Sequence, residues 1–353
     1  HTIILFFMNR KTYKYLKYIF FIGLGVFLVW WQLGAMPQKE SEEFFGALKE
    51  TNLWVIPLIA LMIILSHLSR AMRWMLLMEP LGYAPKLSNS FAVTILGYFA
   101  NSFVPRLGEI VKCTFLAKKE NLKVDKLLGT VIIERAFDFF CFMLFIAFTV
   151  LIQMSLVGDY FSGELQHFTS NQGFPLWLKL FLLVAAGIAV TFFLKWLFKK
   201  YPGNKWVQLA RQFTHGLLTG ILSIRKLKKK WQFLAHTVFI WSMYLLQIYF
   251  AFAAFDGTVH LGLKAACAVL TLATFAMIIT PGGIGSFPFF VMETLSIYGI
   301  SMGIGKAFGW LMWGLNTTII LIAGGLCLLY LLYSTNKRNE INTGNSSENI
   351  FTG

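Results

Sequence analysis

The sequence predicts an all-α polytopic membrane protein with two inverted-topology repeats, each of three spans plus one broken re-entrant helical hairpin. Of its 353 residues, 57% are hydrophobic and 13% are charged, whereas soluble domains carry about a quarter charged residues. The apolar residues form runs of about 20, the length that crosses a hydrocarbon core of roughly 30 Å. Two further apolar regions are interrupted by proline and glycine. This composition excludes disordered, collagen-like and ordinary cytosolic proteins.

Six uninterrupted apolar runs predict transmembrane helices. They cover residues 16–34, 53–78, 127–153, 175–198, 231–255 and 307–333. The first follows a basic stretch, as in a signal peptide, but no small-residue cleavage site follows it, so we expect a retained helix. The broken regions, 88–117 and 264–300, are 30 and 37 residues long, enough for two half-helices that meet near the membrane midplane. The alternative is a pair of tight full-length helical hairpins with proline kinks.

Loop charges predict the orientation, because basic residues are retained on the cytoplasmic side. Residues 9–17 hold four basic residues and residues 199–230 hold nine, both without an acid, so both are expected inside. The 35–51 loop, with four acids and two bases, and the 155–173 loop, with two acids and no Lys or Arg, are expected outside. These sides agree only if each broken region enters and leaves on one side. The second half is then the first turned upside down.

The predicted organisation therefore has five segments. They are a cytoplasmic N-terminus (1–15), a first membrane repeat (16–153), an extracytoplasmic loop (154–174), a second membrane repeat (175–333) and a polar C-terminal tail (334–353). Within the second repeat, apolar residues at helical spacing predict a basic interfacial helix at 204–230. Both termini are expected in the cytoplasm. The net charge of +15 is attributed to cytoplasmic loops, not to nucleic-acid binding.

Several ionisable residues lie at predicted membrane depth, where charges are costly and usually face a cavity or a partner. Glu134 and Asp138 share one helix face, about 10 and 16 Å from the start of the 127–153 span, with Arg135 about 100° around. A cation is expected opposite these carboxylates, and Arg106 is the nearest candidate. The alternative is an ion-pair network that only ties helices together.

The two breaks supply the second group of candidate residues. The first is NSFVPRLGE, from Asn101 to Glu109, and the second is PGGIG, from Pro281 to Gly285. Half-helices that end inside a membrane leave backbone groups that must line a cavity or bind a ligand. Helix N-termini suit phosphate, and glycine lets a backbone approach a ligand closely. The breaks are therefore expected to line a polar site.

The sequence predicts no metal, cofactor or catalytic site. The four cysteines lie far apart within apolar stretches, and the histidines show no ligand spacing. The segment GISMGIGKA resembles a phosphate-binding loop, but its spacing is wrong and no Ser or Thr follows Lys306. No Ser/His/Asp set can be assembled. We therefore expect a protein that is not an enzyme.

One combination of motifs carries a family resemblance. An Asn is followed by Pro-x-x-Gly-Glu and, on the next span, by Glu-Arg-x-x-Asp; here these are Asn101, Pro105, Gly108, Glu109, Glu134, Arg135 and Asp138. The sequence resembles the lysylphosphatidylglycerol synthase transmembrane-region family of flippase-like membrane proteins over roughly residues 10–335. PGGIG resembles the second motif of this family. Where the family often has a Glu shortly after that motif, this sequence has Ser-Phe-Pro, and Glu293 follows several residues later.

The resemblance implies a function. In bifunctional members, the membrane region translocates an aminoacylated lipid that a soluble aminoacyl-transferase domain makes. Only about 20 polar residues follow the last predicted span here, so the resemblance implies the flippase region without that domain. The leading hypothesis is a lipid translocase of a bacterial-type inner (cell) membrane. Its cargo would be a phospholipid, an aminolipid or a polyprenyl-phosphate lipid made elsewhere by a lipid-synthesising enzyme.

The hypothesis assigns a role to each group of candidate residues. The carboxylates would meet a cationic headgroup or carry protons, and Arg106, Arg135 and the half-helix N-termini would meet phosphate. The substrate-binding candidates are Asn101, Pro105, Arg106, Gly108, Glu109, Glu134, Arg135, Asp138, Pro281, Gly282, Gly283 and Gly285, with Arg70, Arg73 and Glu293 as additional candidates. One alternative is a proton-coupled transporter of a small soluble solute. Another is an integral-membrane enzyme or accessory subunit of a lipid-modification pathway.

Overall fold

The computed structural model describes residues 23, 25–34, 36–104, 106–165, 222–225 and 227–348, with isolated positions between 192 and 211. Within residues 154–165 and at the end of the last helix, only the backbone is described. The predicted N-terminal segment (1–15) and the 175–198 span therefore lie outside the described residues, apart from isolated positions. The same holds for most of the predicted interfacial helix at 204–230.

The described residues form helices and connecting turns, with no β-strand among them. In chain order the helices are α1 (Gly25–Gly34), α2 (Gln38–Lys49), α3 (Val55–Met78), α4 (Leu87–Phe103), α5 (Leu107–Glu120), α6 (Val124–Leu165), α7 (Lys230–Ala251), α8 (Leu263–Ile279), α9 (Ser286–Ile297) and α10 (Met302–Glu348). Two compact units can be distinguished. One comprises the described residues of 1–128 and 231–353, and the other those of 129–230.

Four helical stretches among the described residues are long and apolar enough to cross a membrane. They are Val55–Leu81, Val124–Gln153, Lys230–Ala254 and Met302–Ser334. These stretches coincide with the predicted spans 53–78, 127–153, 231–255 and 307–333, so those four predictions are confirmed. The protein is an all-α polytopic membrane protein.

Two helices continue beyond the predicted spans. Helix α6 runs to Leu165, so the first part of the predicted 154–174 loop has a helical backbone. Helix α10 runs to Glu348, so most of the predicted 334–353 tail is also helical. Neither extension contains a proline, and polar side chains in water do not by themselves end a helix. Charge and hydropathy therefore did not predict where these two helices end.

Both predicted interruptions are present, and each separates two apolar helices. Helices α4 and α8 have 17 residues each, whereas α5 has 14 and α9 has 12. At 1.5 Å per residue these helices are roughly 18 to 25 Å long. That is more than half of a hydrocarbon core of about 30 Å and less than a full crossing.

The order of elements repeats along the chain. A long helix, a broken hairpin and a second long helix occur as α3, α4–α5 and α6, and again as α7, α8–α9 and α10. This order agrees with two repeats of similar architecture. The inverted orientation of the second repeat stays a prediction.

Helix α10 packs against α2, α4 and α9, and glycines permit its close contacts. A Cβ atom on Gly303 would lie 2.7 Å from the carbonyl oxygen of Glu40, and one on Gly309 would lie 2.8 Å from the Cα of Pro288. A Cβ on Gly324 would overlap the Cβ of Phe99 on α4. Small residues that let helices approach closely are a common basis of helix association in membranes.

Adjacent glycines of α10 provide a matched test of this packing. Gly324→Ala should lower the free energy of unfolding by about 1–3 kcal/mol, because the new methyl group overpacks the contact with Phe99 near its backbone. Gly325 has no atom within 4 Å of the corresponding Cβ position. Gly325→Ala should therefore leave stability unchanged or raise it by up to ~1 kcal/mol. Thermal unfolding of both variants in detergent checks this, and equal stabilities would contradict the packing.

Candidate functional site

The first break is a tight turn at residues 104–107. Val104 is extended (φ −135°, ψ 116°), as expected for the residue before a proline. Arg106 adopts the left-handed conformation (φ 66°, ψ 1°), and the N–H of Leu107 donates to the carbonyl of Val104 at 3.2 Å. These are features of a type II turn, which usually has glycine at its third position. Pro105 itself lies outside the described residues.

The second break has the same backbone geometry. Thr280 is extended (φ −117°, ψ 151°) and Gly282 is left-handed (φ 61°, ψ 14°). The N–H of Gly283 donates to the carbonyl of Thr280 at 3.0 Å, as Leu107 does to Val104 in the first break. Each break therefore contains a turn with a left-handed third position, an arginine in the first and a glycine in the second. In the second break Gly283 and Gly285 also have positive φ.

The first hairpin is closed by one side chain and by close backbone packing. The Oδ1 of Asn101, on α4, accepts a hydrogen bond from the N–H of Gly108, on α5, at 2.8 Å. A Cβ atom on Gly108 would overlap the carbonyl oxygen of Gly97. Only glycine at position 108 allows this approach. Asn101 and Gly108 thus have a clear structural role in holding the arms together.

Hydroxyl groups close the second hairpin. The Oγ1 of Thr280 and the Oγ of Ser286 lie 2.6 Å apart across the break, and both residues are almost fully buried. The Ser286 hydroxyl also donates to the carbonyl of Ala276 at 2.9 Å, and Thr280 Oγ1 lies 3.0 Å from the carbonyl of Ile284. Ser286 is part of the Ser-Phe-Pro segment that follows the second break. A neutral hydroxyl bridge therefore occupies this place.

The N-terminal amides of the second arms are partly engaged within the hairpins. In α5, the N–H groups of Leu107 and Gly108 donate to Val104 and Asn101. In α9, the N–H of Ser286 donates to the carbonyl of Ile284 at 2.8 Å, and Pro288 has no N–H. The breaks consequently offer fewer amides for a phosphate group than two bare helix N-termini would offer.

The second break lies against the last turn of α4, directly before the first break. A Cβ atom on Gly282 would lie in van der Waals contact with the Cα of Ser102, at 3.8 Å. The indole N–H of Trp313, on α10, donates to the carbonyl of Gly282 at 2.9 Å. Arg106, in the first break, has an exposed side chain. The interruptions of two apolar hairpins thus come together at one place, although they are far apart in the sequence.

Buried cations lie between α3, α4, α5 and α7. Arg73 has no exposed surface, and its Nη1 donates to the hydroxyl of Thr237 at 3.2 Å. The Nη2 of Arg70 donates to the Tyr244 hydroxyl at 2.8 Å, and the Arg70 guanidinium lies 5.6 Å from the Tyr98 ring centre. The ammonium group of Lys112 lies 3.8 Å from the Trp74 ring centre. Aromatic faces of this kind attract cations.

The carboxylates of the family motif differ in burial. Glu134 is 1% exposed, whereas Asp138 is half-buried and Arg135 is exposed on the same helix. Glu109 is half-buried in the first turn of α5, where the partial positive charge of the helix N-terminus stabilises a carboxylate. Glu293 is half-buried on α9. A charge as deeply buried as that of Glu134 requires compensation from its surroundings.

The structure thus brings together part of the predicted site. Asn101 joins Gly108 in one break, Pro281, Gly282, Gly283 and Gly285 form the other, and the two breaks touch. Arg70 and Arg73 lie together on one face of α3, where Ser69 also contacts His236 at 2.9 Å. Sequence reasoning missed the aromatic and hydroxyl partners Tyr98, Tyr244, Trp74 and Thr237, and the buried Lys112. Of these residues, only the two tyrosines could have been suspected, because a buried tyrosine hydroxyl usually finds a hydrogen-bond partner.

The described residues contain no group of three or more His, Cys, Asp or Glu side chains that could hold a metal ion. The hydroxyl and carbonyl oxygens of the second hairpin bond to one another instead. The described part of the site therefore consists of cations, carboxylates, hydroxyl groups and interrupted backbone.

Comparisons with known proteins agree with these features. Residues 18–325 match the family described as the lysylphosphatidylglycerol synthase TM region. The UPF0104 membrane protein MJ1595 of Methanocaldococcus jannaschii is 22% identical over 297 residues, which cover 78% of this chain and 84% of that protein. No solved structure matches the chain. With its broken apolar hairpins and buried charges, the chain belongs to the lysylphosphatidylglycerol synthase transmembrane-region family.

Proposed function

We propose that this protein is a lipid translocase that moves a lipid with a phosphate-bearing headgroup across the membrane. The observation that carries the proposal is the contact of Gly282, in the second break, with Ser102, in the last turn of α4 before the first break. Irregular backbone at membrane depth is tolerated only where it is buried in protein or lines a polar cavity. Two such interruptions at one place supply polar groups where a crossing headgroup needs them.

The chemistry of a lipid determines what a path for it must provide. The headgroup is charged and cannot enter the hydrocarbon region without polar partners, whereas the acyl tails are stable there. A headgroup path therefore needs polar groups beside an apolar exterior. Arg106 is a polar group of this kind beside an apolar exterior. Its exposed side chain lies at a break, and its neighbours Phe103 and Leu107 expose apolar surface.

Arg106 is the proposed partner of the phosphate, because its side chain is exposed and arginine binds phosphate through a bidentate pair of donors. The carboxylates Glu109, Glu134 and Asp138 are proposed to meet a cationic part of the headgroup or to carry protons. The family name refers to lysylphosphatidylglycerol, a phospholipid that carries both a phosphate and amines. This supports a phospholipid or an aminolipid as cargo.

Lipid movement can be measured directly in liposomes that contain the purified protein and acyl-labelled fluorescent lipids. Phosphatidylglycerol, an aminoacylated phosphatidylglycerol and a polyprenyl-phosphate lipid are tested in parallel, and dithionite quenching reports the fraction in the outer leaflet. We expect Glu134→Gln with Asp138→Asn to slow movement of the cargo about tenfold or more, equivalent to ~1.4 kcal/mol in the barrier. The matched control is Asp125→Asn, an exposed carboxylate of the same helix.

Two results would contradict the proposal. The first is wild-type protein that moves none of the three lipids faster than empty liposomes do. The second is uptake of a soluble solute driven by a proton gradient without lipid movement, which would favour the solute transporter. If the wild type moves lipid and the double variant moves it at the same rate, only the proposed roles of Glu134 and Asp138 are contradicted.

Arg106 allows the role of a side chain to be separated from protein stability. Among the described residues, Arg106 and Asn121 are the two non-glycine residues with positive φ. Arg106→Gly should relieve backbone strain, so the free energy of unfolding should stay the same or rise by about 1 kcal/mol. The same change removes the guanidinium, so lipid movement should fall. Liposome assays and thermal unfolding of one preparation check both effects.

Asn121→Gly is the matched control, because it changes a residue with the same backbone conformation at the exposed C-terminal end of α5. It should leave lipid movement unchanged. Equal lipid movement by the wild type and Arg106→Gly would show that Arg106 has no part in headgroup binding.

A further inference from the structure

Three polar side chains connect the short helix α2 to the second break. The carboxylate of Glu40, on α2, lies 2.5 Å from the ammonium group of Lys306 in the first turns of α10. The same ammonium group donates to the backbone carbonyl of Gln32, on α1, at 3.3 Å. The Nε2 of Gln32 donates in turn to the carbonyl of Gly285 at 2.7 Å. Gly285 is the residue that precedes α9.

Gln32 is placed unusually for a polar residue. Its side chain is 1% exposed on an otherwise apolar helix, and its Oε1 accepts no hydrogen bond from the residues that the structure describes. Burying an amide with one group unsatisfied costs free energy. The bond to Gly285 is the compensation that the structure provides. Gln32 is therefore suited to fixing the hairpin tip and not to apolar packing.

Backbone packing makes these links short and stiff. A Cβ atom on Gly285 would lie 2.7 Å from the carbonyl oxygen of Gly25, so α1 lies directly against the break. A Cβ on Gly303 would lie 2.6 Å from the Cβ of Glu43, so α2 lies directly against the start of α10. A displacement of α2 must therefore move Lys306 or break its ion pair.

The ion pair is partly shielded from water. The side chains of Lys306 and Glu40 are 10% and 15% exposed. Without the carboxylate, the ammonium group of Lys306 would be poorly compensated at this depth and would turn toward water. That rotation would withdraw its hydrogen bond from Gln32.

We infer that Glu40, Lys306 and Gln32 form a latch that holds the tip of the second hairpin against the first. They are positioning residues, since none of them touches the contact between Gly282 and Ser102 itself. Release of the latch would let the tips separate. That this separation admits a headgroup rests on the proposed function, whereas the latch itself does not.

Disulfide formation between the two tips tests the latch without any lipid movement. In protein whose four cysteines are replaced by alanine, Ser102→Cys and Gly282→Cys are combined; the Cβ position of residue 282 lies 3.8 Å from the Cα of residue 102. A disulfide requires Cβ atoms about 3.5–4.5 Å apart, so it can form only while the two backbones stay this close. The rate of cross-linking by a mild oxidant then reports how often the tips touch.

We expect Glu40→Gln and Gln32→Met each to slow cross-linking by about fivefold. Loss of one hydrogen bond should lower the population of touching tips by about that factor. Because Glu40, Lys306 and Gln32 act in one series of contacts that ends at Gly285, the double variant should be no slower than the slower single variant. Lys306→Arg keeps the charge and should cross-link faster than Lys306→Met. Glu42→Gln, an exposed carboxylate on the same helix, is the control and should behave as the parent. Thermal unfolding verifies that each variant is folded.

Three outcomes would overturn the latch. They are a parent pair that does not cross-link, cross-linking at the parent rate by Glu40→Gln and Gln32→Met, and effects of these two changes that multiply. The lipid assay on the same variants is read separately. Slower cross-linking together with unchanged lipid movement would support the latch and count against the proposed function.

Discussion

The rest of the structure depends on how two helices can be interrupted among apolar segments without leaving unsatisfied backbone groups. In lipid such groups cost several kcal/mol each, so every break must be satisfied from within. Both hairpins use a turn whose amide donates three residues back, to Val104 or to Thr280. Side chains then bridge the arms, Asn101 in the first hairpin and Ser286 in the second. Similar turns with different bridges are what two diverged repeats would retain.

Helix α10 packs against both hairpins and so helps to bring their breaks together. Its glycines allow α2, α4 and α9 to pack closely, and Trp313 donates to the carbonyl of Gly282 at the tip. The tips consequently meet, while buried cations on α3 lie against tyrosine hydroxyls and aromatic faces. Aromatic faces and hydroxyl groups of this kind bind cations.

Much of this architecture could be predicted from the sequence. Proline within an apolar run disfavours helix in the preceding residue, and Val104 and Thr280 are extended for that reason. The contact of Arg70 with Tyr244 could not be predicted, because the two residues are 174 positions apart and tyrosine is common in membrane proteins. The latch was missed as well, since a single Gln in an apolar run has no characteristic spacing. The end of α6 was missed because loop charge marks a membrane boundary, whereas helical hydrogen bonding continues in water.

The central claim is that a lipid headgroup meets the protein where the two breaks touch. Photo-cross-linking tests it most directly, with a photoreactive amino acid at position 102 in protein extracted with its lipids. Mass spectrometry of the adducts then shows whether the label has reacted with the headgroup or with an acyl chain. Position 322, an exposed isoleucine of α10, is the comparison. The account predicts headgroup adducts of a phosphate-bearing lipid at position 102 and acyl-chain adducts at position 322. Acyl-chain adducts alone at both positions would contradict it.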